Sequence, residues 1–583
     1  MLRYLRLVWP YLARYKRHFV LGAVAIAATN TLAMFAPLVL RRAINRLESG
    51  TAIDQLAQDA MLIVALAFGA GLFRFLVRRW VIWASRLIEY DLRGDLFAHV
   101  SALDQTFFDR TSTGDIITRA SSDVEQVRMM VGPGIMQGTN TLMVGLAAVP
   151  LMIHLDWQLA LWALAPLPLL AILTNRLGGI AHRRNLAVQD AFSRMSAFVQ
   201  ETLSGIRVLK AHAREDNRSA MFDEENSGYF HLNMRLTRLY GAFMPMMSLI
   251  SGVAIVLVLY FGGRGVVTGR IDLGTLVAFA AYMGMLIWPM VALGWVVSLF
   301  QRGLVSAQRI NAVLSTQPRV VDPPPGARKT IPQSGALEFR SLTFSYNGNG
   351  NAPVLRDVTF AIEPGETVAI AGPTGSGKST VAHLLWRRYP VADGAMLLGG
   401  TDANRVPVSE WRRLVAMVPQ EAFLFSESLA SNIALGSDDI PREQVMAYAR
   451  DAAFDKDVQD FPRGYDTMVG ERGITLSGGQ KQRAALARAL AVDSRVLVLD
   501  DAFSAVDAQT EQEILTRLAT LFGTRMILMI THRLATLRKL DRVLFFERGR
   551  LTDSGAHDAL IVAGGPYARW AMRRTLEEEL EEM

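Results

Sequence analysis

The sequence predicts two domains of different class. The first is an all-α transmembrane domain of six helices with long cytosolic helical extensions, and the second is an α/β domain with a phosphate-binding loop. Long apolar runs fill roughly the first 300 of 583 residues. Pro323-Pro324-Pro325-Gly326 then opens a stretch of ordinary mixed composition. Within that stretch, residues 372–379 fit the pattern G-x-x-x-x-G-K-[ST].

Six apolar runs in the first domain are long enough to predict membrane-spanning helices. They cover residues 19–40, 58–80, 134–153, 158–171 and slightly beyond, 239–261 and 273–300. An even number of spans puts both ends on one side, and the basic residues before the first span make that side cytoplasmic. Residues 1–17 mix apolar and basic side chains, which is equally typical of a short helix at the membrane surface and of a basic flank.

The connections between the spans alternate in length. Those on the outer side are short, whereas the inner connections, 81–132 and 174–238, are long, charged and free of proline, which predicts helix. At about 1.5 Å per residue, about 25 extra residues per arm extend each helical hairpin roughly 35–40 Å past the membrane. The arms therefore reach far enough to meet a cytosolic domain.

Composition excludes several classes of function. The formal net charge is +7, but the basic residues form no single stripe, which argues against a nucleic-acid partner. The chain has no cysteine, so disulfides, thiolate metal sites and cysteine nucleophiles are excluded.

Charged residues within or near the spans are candidate sites, because a charge in the bilayer is costly. Arg74 lies well inside the second span, and its position fits a cavity-facing role and a structural ion pair equally well. Arg78 and Arg79 lie near the cytoplasmic end, where their side chains are expected to reach the interface. Three further arginines fall on the outer side, against the usual trend, and the sequence assigns them no function: Arg41, Arg42 and Arg46.

The phosphate-binding pattern stands in the context that it requires, between a predicted buried strand at 366–371 and a predicted helix from Thr380. Its glycines allow backbone N–H groups to turn toward phosphate, and the helix N-terminus adds a favourable dipole. Lys378 is predicted to contact the β- and γ-phosphates of ATP, and Ser379 to bind Mg²⁺. The predicted nucleotide-binding residues here are Gly372, Pro373, Thr374, Gly375, Ser376, Gly377, Lys378, Ser379 and Thr380.

Three later motifs complete a pattern. Leu476-Ser477-Gly478-Gly479-Gln480 follows Gly470-Glu471-Arg472-Gly473, residues 496–500 form an apolar strand that ends in Asp500, and Ile530-Thr531 ends a further strand before His532. The inner connections contain Phe107-Phe108-Asp109-Arg110-Thr111-Ser112-Thr113-Gly114-Asp115, then Ser122-Asp123-Val124, and residues 200–211 read QETLSGIRVLKA. In this order the motifs resemble those of ABC exporters, over nearly the whole chain.

The resemblance implies a role for each motif. Tyr346, 26 positions before Gly372, stacks on adenine. Gln420 contacts Mg²⁺ and the attacking water, Asp500 orients the Mg²⁺ shell, and His532 contacts the γ-phosphate. The signature residues bind the ATP of the opposite subunit: Ser477, Gly478, Gly479 and Gln480.

The resemblance also implies that residues 504–507 form the D-loop, that 470–473 contact the arms, and that an ABC ATPase domain carries a helical subdomain. Short coupling helices near 111–115 and 212–217 are expected to dock on the ATPase domains.

One position departs from the family. After Asp500, ABC ATPases usually carry a glutamate that polarises the attacking water, and this chain has Asp501. Its carboxylate is one methylene shorter, and a misplacement of about 1 Å can cost roughly 100-fold in rate. We therefore expect slow hydrolysis at Asp501 and predict the degenerate-site half of a heterodimeric exporter, of the bacterial multidrug, lipid or peptide type. A homodimeric exporter is the alternative, followed by a regulatory ATP-binding membrane subunit and an ATP-gated channel.

The predicted domains are the exporter domain at 1–320, a linker at 321–336, the ATPase domain at 337–572 and an acidic tail at 573–583. The tail is predicted either to form a helix with Leu576 and Leu580 on one face, able to pair with a partner's tail, or to be a frayed end. The expected partners are a second half-transporter, membrane lipid and a hydrophobic, amphipathic or peptide-like cargo. The expected location is a prokaryotic inner membrane.

Overall fold

A computed structural model describes residues 2–50, 52–346, 352–437, 440–470, 476–521 and 523–582. Its chain divides into two compact units. The first comprises Met1–Ser101 and Gly114–Thr316, and the second comprises Ala102–Thr113 and Gln317–Met583. The short segment 102–113, which lies between two long helices of the first unit in the sequence, thus belongs with the second unit.

The first unit is entirely helical. Its helices, with α5 of the second unit in its place along the chain, are α1 (Leu2–Arg14), α2 (Lys16–Glu48), α3 (Ile53–Val77), α4 (Trp83–Ala102), α5 (Gln105–Phe108), α6 (Thr113–Thr118), α7 (Val124–Met129), α8 (Ile135–Leu155), α9 (Trp157–Leu164), α10 (Pro166–Ser204), α11 (Ile206–Ala211), α12 (Glu215–Val267) and α13 (Leu273–Leu314). One turn of π-helix joins neighbouring helices at Arg78–Ile82, Arg119–Asp123 and Met130–Gly134.

Six helical stretches among the described residues are long and apolar enough to cross a membrane. They are Lys16–Glu48, Ile53–Ala102, Thr113–Leu155, Trp157–Ser204, Glu215–Val267 and Leu273–Leu314. The prediction of six spans, joined alternately by tight turns and by long helical connections, is confirmed. The chain is a multi-pass integral membrane protein.

Aspartates set the starts of two spans at the outer turns. The carboxylate of Asp156 accepts a hydrogen bond from the backbone N–H of Leu159 at 2.6 Å. Asp272 accepts one from the N–H of Thr275, also at 2.6 Å. Each carboxylate satisfies a backbone donor that has no partner within the helix, so each fixes the residue at which the helix begins.

The three outer arginines, which the sequence left without a function, form ion pairs in the structure. Arg42 and Arg46 both bind the buried carboxylate of Asp59 on α3. Arg41 binds Asp272 at the start of α13, at 2.7 Å. These pairs join α2 to α3 and to α13, and they give each of the three arginines a counterion at the end of its span.

The two expected positions of short helices overlap helix starts in the structure, since α6 begins at Thr113 and α12 begins at Glu215. Two other short helices precede them, α5 at Gln105–Phe108 and α11 at Ile206–Ala211. Asp104 caps α5 by accepting the N–H of Thr106 at 3.0 Å. A left-handed backbone at Ala213, with φ of 49°, separates α11 from α12. Docking of short coupling helices near 111–115 and 212–217 on the ATPase domains stays a prediction.

The second unit contains two sheets. Its strands are β1 (Leu337–Phe344), β2 (Leu355–Ile362), β3 (Thr367–Ala371), β4 (Met396–Leu398), β5 (Thr401–Asp402), β6 (Val415–Val418), β7 (Val496–Asp500), β8 (Met526–Ile530), β9 (Arg542–Glu547) and β10 (Arg550–Gly555). The smaller sheet has the order β2-β1-β4-β5 and is antiparallel. The larger has the order β10-β9-β3-β8-β7-β6, in which only β10 runs antiparallel.

The remaining helices of this unit are α14 (Lys378–Leu385), α15 (Val408–Leu414), α16 (Leu429–Ala434), α17 (Arg442–Asp451), α18 (Asp455–Gln459), α19 (Gly478–Leu490), α20 (Ala508–Leu518), α21 (Leu534–Leu537), α22 (His557–Val562) and α23 (Pro566–Glu582). The helices α16 to α19 come between β6 and β7 in the sequence and form the expected helical subdomain. The fold class is thus confirmed.

The C-terminal tail continues α23, which ends at Glu582, so the expected helix is present. The side chain of Leu576 is 56% exposed, and that of Leu580 lies outside the described residues. Pairing of this helix with a partner's tail stays a prediction.

Candidate functional site

The predicted site residues gather at one edge of the larger sheet. The loop 372–379 follows β3, Asp500 and Asp501 stand at the end of β7, His532 comes two residues after β8, and Gln420 two residues after β6. These four strands are parallel neighbours. Parallel strands present their carboxyl ends at the same edge, where ligands bind in open α/β sheets. The structure therefore brings these residues to one side of the sheet.

The loop itself has the backbone that a phosphate site requires. Gly372 has φ of 148°, and a Cβ atom there would lie 2.2 Å from the carbonyl oxygen of Phe546. Gly375 and Gly377 have φ of 79° and 99°. Successive N–H groups in such a loop point to a common centre, and α14 begins directly afterwards at Lys378. Pro373, Thr374 and Ser376 lie in the same loop, and the loop fits an anionic phosphate chain.

Lys378 is held within this loop. Its ammonium group donates hydrogen bonds to the carbonyl oxygens of Gly372 and Pro373 at 2.9 and 2.7 Å. Burial lowers the pKa of Lys378, and the carboxylates of Asp500 and Asp501 oppose that shift. A partly desolvated cation at the mouth of the loop gains strongly from a phosphate anion, because charges attract more in a low dielectric.

Ser379 and Asp500 form a pair suited to Mg²⁺. The hydroxyl of Ser379 donates to Oδ1 of Asp500 at 3.0 Å, and Asp500 is 1% exposed. Burial raises the pKa of Asp500, and the adjacent Asp501 adds to the rise. A hydroxyl and one carboxylate are the usual protein share of a Mg²⁺–nucleotide site, the remaining ligands being phosphate oxygens and water. The side chains of Ser379 and Asp500 thus fit Mg²⁺. A bound ion would also relieve the repulsion between the carboxylates of Asp500 and Asp501.

Asp501 and His532 face each other at the same edge. The Nδ1 atom of His532 lies 3.4 Å from Oδ1 of Asp501, and their side chains are 45% and 22% exposed. Asp501 has a left-handed backbone with φ of 47°, and its N–H donates to the carbonyl of Ile530 at 3.0 Å. The carboxylate is therefore fixed at the mouth of the site, within reach of solvent and beside the histidine. Gln420 is exposed at the same edge.

Tyr346 follows β1 in the smaller sheet. Its hydroxyl and that of Thr380, in the first turn of α14, are 2.8 Å apart and hydrogen-bonded. Its ring contacts Phe344 edge to face, with centroids 5.1 Å apart. Tyr346 thus contacts the helix that starts at the phosphate loop, and stacking of its ring on adenine stays a prediction.

The signature begins α19 with a reciprocal cap. The side chain of Ser477 accepts the N–H of Gln480, and the side chain of Gln480 accepts the N–H of Ser477. A Cβ atom at Gly479 would lie 2.8 Å from the carbonyl oxygen of Ala505, and one at Gly478 would lie 3.1 Å from its Cβ. The two glycines thus allow the helix start to approach the D-loop. Residues 471–475, which include most of the preceding motif, lie outside the described residues.

A buried ion pair next to the histidine was missed by the sequence analysis. Arg533 donates to the carboxylate of Glu511, which is 3% exposed, and to the carbonyl oxygen of Val506 at 3.0 Å. Thr536 donates to the same carboxylate at 2.6 Å. Arg533 thereby ties the residue after His532 to the D-loop. A signal existed in the sequence, because Glu511 shares the face of α20 that buries Ile514, Leu515 and Leu518.

Replacing Arg533 by alanine is expected to lower kcat for ATP about 10-fold with a smaller change in KM, because a shift of His532 below about 1 Å weakens contacts made in the transition state. Steady-state ATP turnover at varied ATP concentration measures both constants. Arg340→Ala, which removes an exposed pair with Glu338 on β1, is the matched control. An unchanged kcat, or a KM that rises as much as kcat falls, contradicts this role.

Family comparisons agree with the geometry. The description "ABC transporter transmembrane region" matches residues 19–290, and "ABC transporter" matches residues 355–504. The multidrug resistance-like ATP-binding protein MdlA of Escherichia coli (strain K12) is 35% identical over 582 residues, covering 99% of this chain and 97% of that protein. The chain belongs to the ABC transporter family. It is an exporter with fused transmembrane and ATPase domains, and it is an ATP-hydrolysing translocase.

Other relatives of this ABC exporter carry related names. The probable multidrug resistance protein YheI of Bacillus subtilis (strain 168) is 32% identical, covering 98% of this chain and 97% of that protein. The ATP-dependent lipid A-core flippase of Desulfotalea psychrophila is 32% identical, with 87% and 88% covered. A solved structure of a bacterial Atm1-family ABC exporter with ATP bound has a TM-score of 0.79 at 26% identity, covering 97% of this chain and 98% of that one.

Proposed function

We propose that this chain is one half of a heterodimeric exporter that moves a hydrophobic, amphipathic or peptide-like cargo out of the cell, and that its own ATP site hydrolyses slowly. The observation that carries the proposal is Asp501, which stands beside His532 at the mouth of an otherwise complete site. The names of the relatives, multidrug resistance proteins and a lipid flippase, support a hydrophobic or amphipathic cargo.

The chain's own ATP site has a weakened catalytic residue, whereas its signature is intact. The phosphate loop, Ser379, Asp500 and His532 supply binding groups for ATP and Mg²⁺, whereas Asp501 reaches one methylene less far than glutamate toward the attacking water. The signature is intact and well capped at Ser477. By the family pattern, that signature completes the ATP site of the partner subunit. A partner with the usual glutamate would then hydrolyse ATP normally, which explains why one motif is weakened and the other kept.

Each remaining site residue has a distinct proposed task. Lys378 neutralises the terminal phosphates, and the backbone N–H groups of the loop orient them for in-line attack. Gln420 and Asp501 orient the attacking water, and His532 contacts the γ-phosphate that the water attacks. Mg²⁺, when bound at Ser379 and Asp500, neutralises the charge that develops on the phosphate oxygens.

Export follows from differential binding, since a ligand shifts a conformational equilibrium only by its difference in affinity for the two states. Two ATP molecules held between phosphate loops and opposing signatures favour the closed ATPase dimer, and closure opens the membrane cavity outward. Hydrolysis and phosphate release remove that preference and reset the transporter. Both chain ends lie in the cytoplasm in this proposal, and the membrane is the inner (plasma) membrane.

Arg74 is a candidate contact for the cargo. It is exposed on α3, and no carboxylate of the described residues lies within ion-pair distance of it. Since an unpaired cation within a span is costly unless it faces a polar cavity or a counterion, the absence of such a pair favours the cavity-facing role. A cargo with an anionic group on an apolar body would pair with the charge of Arg74 and suit the apolar span around it.

The test measures ATP turnover by the purified chain alone and together with a second half-transporter encoded beside it. Slow turnover alone, raised by a partner whose own catalytic glutamate is essential, is the expected result. Glutamate-to-glutamine substitution in the partner should then abolish turnover, whereas Asp501→Asn in this chain should change it little. Fast turnover by the isolated chain that Asp501→Asn abolishes would overturn the heterodimer and establish a homodimer.

A further inference from the structure

A small cavity lies between the start of α9 and the end of α12. Its volume is about 210 Å³, which is below the roughly 300 Å³ at which sites for drug-sized ligands begin. The cavity therefore suits a small polar group. The residues that line it include two arginines and two aromatic side chains, none of which belongs to the ATP site: Gln158, Trp162, Phe261, Arg264, Gly265 and Arg270.

The way in which α12 ends fixes the position of Arg270. Gly269 has a left-handed backbone with φ of 74°, and its N–H donates to the carbonyl oxygen of Val266 at 3.0 Å. The N–H of Arg270 donates to the carbonyl oxygen of Gly265 at 2.8 Å. This pair of bonds is the usual closure of a helix at a glycine. A Cβ atom at Gly265 would lie 3.0 Å from Nη2 of Arg270, so the glycine leaves room for the guanidinium group against the helix.

The charges around the cavity do not balance. Arg270 donates to the side chain of Gln158, and its Nη1 lies 3.3 Å from Oδ1 of Asp156. That carboxylate is 11% exposed and also accepts the N–H of Leu159. Arg264 is exposed one turn before the end of α12, and no carboxylate of the described residues lies within ion-pair distance of it. Two guanidinium groups thus meet one carboxylate, and one positive charge has no counterion.

The aromatic side chains lie on the side of the cavity away from the turns. The rings of Trp162 and Phe261 stack with centroids 4.1 Å apart and planes at 7°. At about 1.5 Å per residue, Trp162 lies about 8 Å inside the start of α9, and Phe261 about 9 Å inside the end of α12. Trp162 is 42% exposed, and its indole N–H has no acceptor among the described residues. The cavity is therefore polar near the turns and aromatic toward the membrane interior, as is typical of the membrane interface.

An exposed apolar face continues from the cavity along α12. Tyr260, Val256 and Val253 precede Arg264 by 4, 8 and 11 positions, which is the spacing of one face of a helix. Their side chains are 65%, 62% and 47% exposed. A cation at the end of a span with an apolar face beneath it matches a molecule that has an anionic head and an apolar chain.

We propose that this cavity binds the phosphate of an anionic glycerophospholipid, whose acyl chain lies along the exposed face of α12. Arginine presents a planar fork of donors that fits phosphate oxygens, and the N–H of Trp162 supplies a further donor. A zwitterionic lipid fits less well, because its amine needs an acceptor and Asp156 is already occupied by Arg270 and Leu159. In the orientation of the proposed function this lipid belongs to the outer leaflet, and only that assignment rests on the proposed function.

The test compares two lipids at the cavity itself. The chain has no cysteine, so Val267→Cys, at the 89% exposed last residue of α12, takes a single fluorophore. The full chain is placed in phosphatidylcholine nanodiscs that contain a small fraction of either phosphatidylglycerol or phosphatidylcholine with a nitroxide on the acyl chain. Quenching of the label then reports the occupancy of each lipid. The preference for phosphatidylglycerol is expected to be about 5-fold, the ratio for one exposed ion pair at the upper end of its usual strength.

Two variants separate a built site from diffuse attraction to positive charge. Arg264→Gln removes the charge without a counterion and is expected to abolish most of the preference. Trp162→Leu leaves every charge in place but removes the stacked ring and its N–H, and it should also lower the preference. Trp157→Leu is the matched control, since Trp157 is 64% exposed at the start of the same helix and does not line the cavity. It should leave the preference unchanged.

An excess of glycerol 3-phosphate tests whether the acyl chain is needed. The preference should survive, because the soluble phosphate has no chain to lie along α12, whereas displacement would overturn the lipid and indicate a site for free phosphate. Equal quenching by both lipids, an unchanged preference in Arg264→Gln, or equal effects of Trp162→Leu and Trp157→Leu would also overturn the inference. The measurement needs neither ATP nor a partner, so its failure would leave the proposed function untouched.

Discussion

Replacing Asp501 by glutamate is expected to raise ATP turnover of the isolated chain, by roughly 10- to 100-fold. Aspartate holds its carboxylate about 1 Å further from the attacking water than glutamate does, and a misplacement of that size can cost about 100-fold. The rest of the site is in place, because Ser379 pairs with Asp500 and His532 lies 3.4 Å from Asp501. Steady-state turnover with saturating ATP and Mg²⁺ measures the gain.

Two controls separate reach from charge and from local disturbance. Asp501→Asn keeps the length of aspartate without its charge, and it should abolish the residual turnover if Asp501 acts as a weak base. Asp402→Glu adds the same methylene to a carboxylate of the same domain that accepts the N–H of Asn404 at 2.9 Å, and should leave turnover near its original value. Turnover that does not rise in Asp501→Glu would mean that the position of the carboxylate is not what limits this site.

The sequence predicted the sheet edge well because its motifs constrain backbone and chemistry together. Gly372 has a positive φ and lies against the carbonyl of Phe546, so the backbone geometry requires a glycine there. The sequence motif has a glycine at this position for that reason. The apolar run that ends in Asp500 predicted a buried strand with a carboxylate at its end, as β7 has. Six spans and tight outer turns followed from run lengths alone. In each case one local pattern determines one local structure.

Predictions that depended on long-range contacts were weaker. The limits of α5 depend on Asp104, whose second oxygen binds the backbone of Arg319 far along the chain. The outer arginines Arg42 and Arg41 are explained by their ion pairs with Asp59 and Asp272, which are distant partners that the local sequence does not indicate. Tyr389 was not singled out, because no periodicity shows that its hydroxyl meets Asp109, 280 positions away. Local sequence carries the propensity for these elements, but the partner that fixes each of them is distant.

The largest effect is expected from the signature, because it tests the site that this chain completes in its partner. Gly479→Asp should reduce turnover of the assembled exporter roughly 100-fold or more. It places a carboxylate at the N-terminus of α19, where an anion must bind, and loss of one such donor site costs about 100- to 1000-fold in related chemistry. ATP turnover of the complex measures this loss, while ATP affinity of the isolated chain should stay within about 2-fold, since its own phosphate loop is unaltered.

Gly479→Ala separates crowding from charge. Its methyl group meets the carbonyl oxygen of Ala505 at 2.8 Å, so the D-loop must shift, but no charge is added. We expect Gly479→Ala to lower ATP turnover of the complex, but by less than Gly479→Asp does. Gly326→Asp, at a position with open space around its Cβ, controls for the added charge itself. If Gly479→Asp instead impaired ATP binding by the isolated chain and left the complex active, the signature would serve its own subunit, and the division of labour between two unlike sites would fail.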